Sequence, residues 1–505
     1  MKKLLSILLA GILLLLSFAA CSTQTENAAE EKESTAPEAQ PTADGTEETE
    51  ETAKYLDSMP EEMNFEDRDI KFYVVEGANG NITVLSIYAE EDTGEIVDSA
   101  VFARNLTVSE RLKVKIGEPQ STTDSGAGGS ELSNAVKSGS ADIDIFGGYQ
   151  YFNIVLAAQG LLFNLNNSEN FPYNDFDREY WGTSYMNNMS LDGQHYYWAT
   201  GDLALRYTGG MYVTYVNTNI FRNYYNDVNL YSIVDEGSWT MDKIREISSG
   251  VYQDLNANGK KDNKDMFGFV LQSIDPTDGM AAGCMVDFSS RGDDGLPYIS
   301  FDNQRTYDFW DKYYALLFNN EGAMLNPESD DSVTIMKNFG AGQYMMTCNK
   351  LFQSPIYLRE MEDDFMILPL PKLNEEQPHY NTRIHDSCTI FGVPVSVGGT
   401  DCLSAVLEAL ASESFKVVTP AYYEIALKVK YARDSDSGRM IELIHENVTI
   451  DFAAQWSNKL GNINHFFRTT ADAKSESIAS TVQRSQKMWN KSIDKLITDL
   501  QKLED

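Results

Sequence analysis

Residues 254–265 read D-L-N-A-N-G-K-K-D-N-K-D, an array of oxygen-bearing side chains interrupted by one glycine. The spacing is that of a twelve-residue calcium loop, with ligands at positions 1, 3, 5, 7, 9 and 12 and a glycine at 6. Those positions hold Asp254, Asn256, Asn258, Lys260, Asp262 and Asp265, with Gly259 at the turn. Lysine is tolerated at position 7 because only its carbonyl points inward. Asp265 departs from the pattern, since a longer, bidentate glutamate is usual at position 12. Three carboxylates and two amides predict moderate affinity, roughly 10⁻⁴–10⁻³ M. The competing reading is a polar Asn/Asp/Gly turn with no ion. A sensor needs paired helices that open a Met-rich groove, whereas here M-F-G-F-V-L (266–271) reads as a short buried strand. The loop is therefore read as a structural calcium staple.

Catalytic patterns are sparse by comparison. With 76 acidic residues in the chain, carboxylate pairs are inevitable and say little about glycosidase chemistry. His445-Glu446 lacks the second histidine of H-E-x-x-H, and no G-x-S-x-G elbow occurs. The Gly/Ser-rich residues 125–130 carry neither the Walker lysine nor the G-x-G-x-x-G register, so they read as a flexible turn. Cys284, Cys348, Cys388 and Cys402 show no C-x-x-C or Cys/His zinc spacing, and no disulfide pairing is assigned. The chain is read as a binding protein, not an enzyme.

The N-terminus sets the compartment. Lys2 and Lys3 precede an almost wholly apolar run from residue 4 to 16, too short to span a membrane comfortably. It ends in L-S-F-A-A-C (16–21), which resembles a bacterial lipoprotein signal. Cys21 would then carry diacyl lipid, including palmitate, and become the mature N-terminus. Residues 22–64 hold thirteen acidic and two basic residues with few large apolar ones. Such a segment is too charged to fold and reads as a disordered stalk. No later stretch is apolar for the ~20 residues of a membrane span. The body is expected to be tethered by lipid alone to the outer face of the cell membrane.

From about Phe65 the composition is globular. Some 440 residues exceed what one core usually serves, so two lobes are expected. The net charge of −36 argues against nucleic acid and against polyanionic substrates. Residues 69–75 read as a first strand, 98–113 as a helix, 114–116 as a strand, 132–137 as a helix segment and 141–146 as a strand. Alternating strands and helices predict an α/β fold with mostly parallel sheets. Residues 240–252 read as a helix capped by Thr240, with Met241, Ile244, Ile247 and Val251 on its buried face. The calcium loop follows it.

Four ordered stretches resemble the extracellular solute-binding proteins of family 1, the sugar-type receptors of ABC importers. S-G-S-A-D-I-D-I-F-G-G-Y (138–149) with A-A-Q-G-L-L-F-N-L (157–165) is similar to the family's G-x-x-D-I and A-x-x-G-x-L-x-x-L segment. D-G-Q-H-Y-Y-W-A-T (192–200) with M-Y-V-T-Y-V-N-T-N-I-F (211–221) resembles its G-x-x-Y and Y-N-x-x-x-F segment. G-S-W-T-M-D-K-I (237–244) resembles a helix opening, and F-G-A-G-Q-Y-M-M (339–346) resembles F-x-x-G-x-x-A-M. Tyr344-Met345 departs from the smaller residues usual in the last of these. H-D-S-C-T-I-F-G-V-P (385–394) looks like a variant found in Gram-positive gut bacteria, in which a calcium-like insertion is also common.

The resemblance implies a two-lobe, periplasmic-binding-protein-like fold of type II with ligand in the cleft between lobes. The lipoprotein-like N-terminal pattern places a signal at residues 1–20 and the lipidated cysteine with its linker at 21–64. The N-terminal lobe is then 65–205 plus 380–412, and the C-terminal lobe 206–370 plus 413–505. The C-terminal helix (478–503) would close the second lobe. Function would be capture of an oligosaccharide by a monomer and its delivery to ABC permease subunits. A surface glycan-capture lipoprotein without a permease is the alternative, and a glycan-active enzyme the least favoured. Saccharides stack their C–H faces on aromatic rings while carboxylates, amides and arginines bond their hydroxyls. Cleft-facing loops at strand ends should carry these groups. The candidates are Tyr149, Tyr151, Trp198, Asp202, Asn349, Phe352, Arg383 and Asp386, with His385 beside the last two.

Overall fold

The computed structural model describes residues 54–76, 82–90, 93–326, 332–428 and 435–503. The signal stretch, Cys21 and most of the acidic stalk lie outside them. No helix among the described residues is long and apolar enough to cross a membrane.

The folded body includes residues from Lys54, earlier than the Phe65 that composition suggests. Asp57 forms a buried, two-pronged ion pair with Arg111, at 2.7 and 2.8 Å. The guanidinium also lies 3.7 Å over the Tyr55 ring and donates to the carbonyls of Met59 and Pro60. One arginine on the helix Ile96–Leu112 thereby pulls the end of the acidic segment onto the domain.

The N-terminal lobe is built on a four-stranded sheet ordered Thr389–Gly392, Ile145–Tyr149, Phe72–Val75, Gln120–Thr122. The last three run parallel, and Thr389–Gly392, arriving from the far end of the chain, is antiparallel to Ile145–Tyr149. The strand expected at 141–146 runs further, through Gly147 and Gly148. A Cβ on Gly147 would stand 2.8 Å from the Phe391 ring, so only glycine lets these strands meet at that point. The glycine-rich turn at 125–130 contributes instead to the first turn of a helix, Ala127–Ser138.

The C-terminal lobe holds strands in the order Ala323–Asn326, Met266–Gln272, Tyr344–Lys350, Tyr212–Asn217, Phe365–Leu368. The first three are parallel and Tyr212–Asn217 runs antiparallel to both its neighbours. Nearly every residue on the central strands is buried, the continuous apolar pattern of a sheet covered on both faces. Met241–Ser248 packs beside it. Thr240 caps that helix through Lys243 N–H at 3.3 Å, and Met241, Ile244 and Ile247 are buried as the periodicity predicts.

The chain leaves the first lobe where Ala199 pairs with Phe391 and enters the second at Tyr212. It returns along 380–388, with Met211 bridged to Ile384 and Thr382 to Val448. Two boundaries differ from expectation. The helix Thr400–Glu413 does not hand over to the second lobe at its end. It continues through a π turn, Ser414–Val418, still packed on Ile96–Leu112, where buried Arg104 donates to Ser414 Oγ at 3.0 Å. The C-terminal helix Ala479–Gln501 touches both lobes. Trp489 meets Phe301 and Phe466 edge-on at 5.7 and 5.8 Å, while Leu500 packs near Ala157 and Trp198 of the first lobe.

Candidate functional site

Parallel strands present their C-terminal ends, and the turns after them, to the space between the lobes. After Met266–Gln272 comes the helix Asp275–Gly283, which begins with Asp275 and carries Asp278 one turn in. Tyr344–Lys350 ends at Lys350, and Ile145–Tyr149 runs on into Tyr151. The return segment supplies Arg383, His385 and Asp386. These turns meet in one cluster.

Asp275 is its anchor. Its Oδ2 accepts from Tyr212 OH at 2.6 Å and from Lys350 Nζ at 2.7 Å, with His385 Nε2 at 3.4 Å. Burial alone would raise this carboxyl, but the Lys350 ammonium and His385 outweigh it and hold the group well below the usual carboxylate range. Asp278 is 2% exposed and pairs with Arg468 from the helix Phe466–Asp472. Its carboxyl is raised by burial, opposed by Arg468 and Arg383. Asp278 Oδ1 and Arg468 Nε are buried with no partner in the protein. Unmet donors and acceptors of this kind are what a polar ligand satisfies.

Tyr151 brings the aromatic surface. It is half-buried, its hydroxyl donates to Asn462 Oδ1 at 2.8 Å, and its ring stacks on His465 at 6.0 Å and 10°. Its N–H donates to the Asp386 carbonyl at 3.0 Å, and its own carbonyl accepts from Asn458 Nδ2. Burial raises the phenol, as does the Asp386 carboxylate, while Arg468 opposes them. Burial and then Arg468 push His465 down to about 4, so it is neutral near pH 7. Phe352 is half-buried, its ring 5.7 Å from Lys350 Nζ and its N–H bonded to Gly209 O at 2.8 Å.

Of the eight residues expected from sequence, Tyr151, Phe352, Arg383 and Asp386 belong to this cluster. Four do not. Trp198 is a core residue, 2% exposed, its indole N–H bonded to Ile154 O at 3.3 Å and its ring against Phe146. Tyr149 spends its hydroxyl on the Glu76 carbonyl at 2.7 Å, with Arg206 over its ring at 4.9 Å. Asn349 lies inside the central sheet opposite Val213, with no exposed surface. Asp202 is buried in the first crossing, 2.5 Å from Thr419 Oγ1 and 3.8 Å from His445 Nε2. Sequence reasoning missed Asp275, Asp278, Lys350, His465 and Arg468. The S-I-D-P-T-D run after a buried strand (273–278) was the available signal for the first two.

The 254–265 loop closes a short hairpin, because Tyr252–Gln253 pairs antiparallel with Phe267 and Met266. The helix before it ends at Ser248, earlier than the periodicity predicts, to allow this. Asp254 Oδ2 accepts from Gly259 N–H at 2.8 Å, and Asn258 and Asn256 both turn their amides towards Asp262. Gly259 sits at φ 69°. Asp265 is fully buried; its Oδ2 accepts from Asp262 N–H and Tyr252 OH, and its Oδ1 has no partner. No three His, Cys, Asp or Glu side chains among the described residues converge as a metal cluster. An ion here would need the Asn256 and Asn258 oxygens and the Lys260 carbonyl as well. The orphaned Asp265 oxygen fits that demand. The four cysteines after Cys21 are free and buried.

No protein-family model matches the chain, and no curated protein matches it. Solved structures do. The galacto-N-biose/lacto-N-biose I-binding protein of a Bifidobacterium longum ABC transporter aligns at a TM-score of 0.53 and 13% identity, covering 85% of this chain and 97% of that one. The chain has the two-lobed periplasmic-binding-protein fold. An ABC substrate-binding protein from Listeria monocytogenes in complex with cycloalternan aligns at 0.50 and 12% identity, over 86% of this chain and 99% of its own. The acarbose-binding GacH receptor of Streptomyces glaucescens does so at 0.50 and 11%, over 86% and 99%. In this chain the Tyr151–Lys350–Asp275 cluster stands at the ends of strands from both of its main sheets.

Proposed function

We propose that the protein is a solute receptor that captures an oligosaccharide by closing its two lobes and delivers it to an ABC importer. The observation that carries this reading is the composition of the cleft. Charged and amide groups from both lobes converge with a half-exposed aromatic ring, and two of those polar atoms are buried without partners. Such a surface bonds hydroxyls and stacks a sugar face. The fold neighbours that bind cycloalternan and lacto-N-biose support the same ligand class. Cations and carboxylates are balanced in the cleft, which favours a neutral saccharide over a polyanion. Nothing in this reading transforms the ligand.

Two accessory features belong to the proposal. Cys21 would anchor the chain by lipid to the outer face of the cell membrane, with the acidic stalk as spacer. Asp254, Asn256, Asn258, Lys260, Asp262 and Asp265 would hold a calcium ion that braces the Tyr252–Met266 hairpin at the edge of the second lobe. A glycan array with the full chain, followed by titration calorimetry on the best ligand, tests the central reading. Tyr151→Ala and Lys350→Met should each weaken binding at least tenfold, since each removes a contact in the buried centre of the cleft. Unchanged affinity in both variants would move the site elsewhere.

A further inference from the structure

A groove of about 810 Å³ opens between the 177–184 segment, the helix Thr419–Lys428 and the helix Ser435–Glu446. None of the residues of the interlobe cluster lines it. Trp181, Tyr207, Phe415 and Tyr423 are among its lining residues. Tyr207 and Tyr423 both stand edge-on to the His445 imidazole, at 5.9 and 6.1 Å and at 84° and 78°.

The polar atoms of that wall are unused. Tyr423 OH and His445 Nε2 are buried with no hydrogen-bond partner. Tyr207 is 5% exposed, and among the described residues its hydroxyl likewise forms no hydrogen bond. Behind them Asp202 Oδ1 lies 3.8 Å from His445 Nε2. The rim carries Glu179, Glu442 and Glu446, exposed and in no ion pair among the described residues. Among the described residues, the two cations that line the groove, Arg178 and Lys416, are already engaged. Arg178 pairs with Asp175 at 2.7 Å and bonds Ser58 Oγ at 2.9 Å. Lys416 donates to the Lys54 carbonyl at 2.7 Å, with Glu413 at 3.6 Å.

We propose that this groove is a second ligand site, for an alkylammonium compound. An ammonium group entering the groove would be attracted by the faces of the aromatic rings that line it. Its N–H bonds would satisfy the Tyr207 and Tyr423 oxygens and the free imidazole nitrogen. Burial holds His445 below its ordinary pKa, so the ring is neutral and can accept. Rim carboxylates would engage a second amine of an extended chain. A neutral sugar would leave those carboxylates unanswered, and an anion would be repelled by them.

The test is titration of the full chain at near-physiological salt with spermidine, and with 1,8-octanediol as the uncharged chain of similar length. Spermidine should bind and the diol should not. Glu442→Gln with Glu446→Gln should weaken spermidine at least tenfold, and Tyr423→Phe, which keeps the ring and removes the oxygen, several-fold. Lys350→Met, in the interlobe cleft, should leave spermidine affinity unchanged. This separates the groove from the proposed saccharide site, so failure of either reading is visible without the other. Absence of spermidine binding overturns the proposal. So does binding indifferent to Tyr423→Phe and to the double Gln variant, which is the behaviour of diffuse attraction to an acidic surface.

Discussion

Asp202→Asn probes how much the buried crossing costs the fold. Asp202 is 2% exposed. Burial, opposed by the Thr419 hydroxyl at 2.5 Å, pushes its carboxyl up to about 7. In the unfolded chain an aspartate titrates at about 3.9. Between those values the native state holds a proton that the unfolded state has lost. Stability is therefore greatest below about pH 4, falls as pH rises, and levels off above about 7. A tenfold difference in proton affinity between the two states is worth about 1.36 kcal/mol, so charging Asp202 costs about 4 kcal/mol at pH 8 as an upper bound. Asparagine keeps an oxygen for the Thr419 hydroxyl and carries no charge. Urea melts of the native chain and the variant, at intervals from about pH 5 to pH 8, should diverge with rising pH, the variant becoming the more stable by up to ~4 kcal/mol. A difference that does not depend on pH would refute the reasoning, because only a displaced titration gives that slope.

Three other outcomes are expected. Trp198→Ala should lower stability by about 3–5 kcal/mol through the cavity it leaves, while any saccharide affinity measured on folded protein stays near the native value; a selective loss of affinity would return Trp198 to the site. Excess calcium should stabilise by about 2.7 kcal/mol at a hundredfold excess over Kd, and Asp254→Ala should remove most of that thermal shift. A melting temperature indifferent to calcium and to chelator would make the loop an ordinary turn. Cys21→Ala should abolish incorporation of labelled fatty acid, and continued labelling would place the anchor elsewhere.

What could be read from sequence divides by range. The alternation of strands and helices, the Thr240 cap and the buried stripe of Met241, Ile244 and Ile247 are local patterns, and they appear as expected. The sequence puts Tyr151 just past a strand and Asp386 beside a crossing, and the structure sets the two in backbone contact. Trp198 could not be sorted in the same way. A tryptophan near a crossing looks alike in sequence whether its ring faces a cleft or packs against Phe146. The charged centre was illegible for a different reason. Lys350 meets Asp275 across 75 residues, and Arg468 meets Asp278 across 190, so neither pairing leaves a local trace. The same holds for Asp57 and Arg111, 54 residues apart, whose pairing makes the last part of an apparently disordered stalk fold.

Closure of two lobes over an unaltered saccharide is tested most directly by small-angle scattering of the full chain with and without the best array ligand. Contacts from both lobes coexist only in the closed form, so ligand should draw the population towards it. The radius of gyration should fall on saturation, and the sugar should be recovered intact from the complex. Binding with no change in radius would contradict closure and favour a static surface-capture protein. Cleavage of the sugar by the pure protein would contradict the receptor reading altogether.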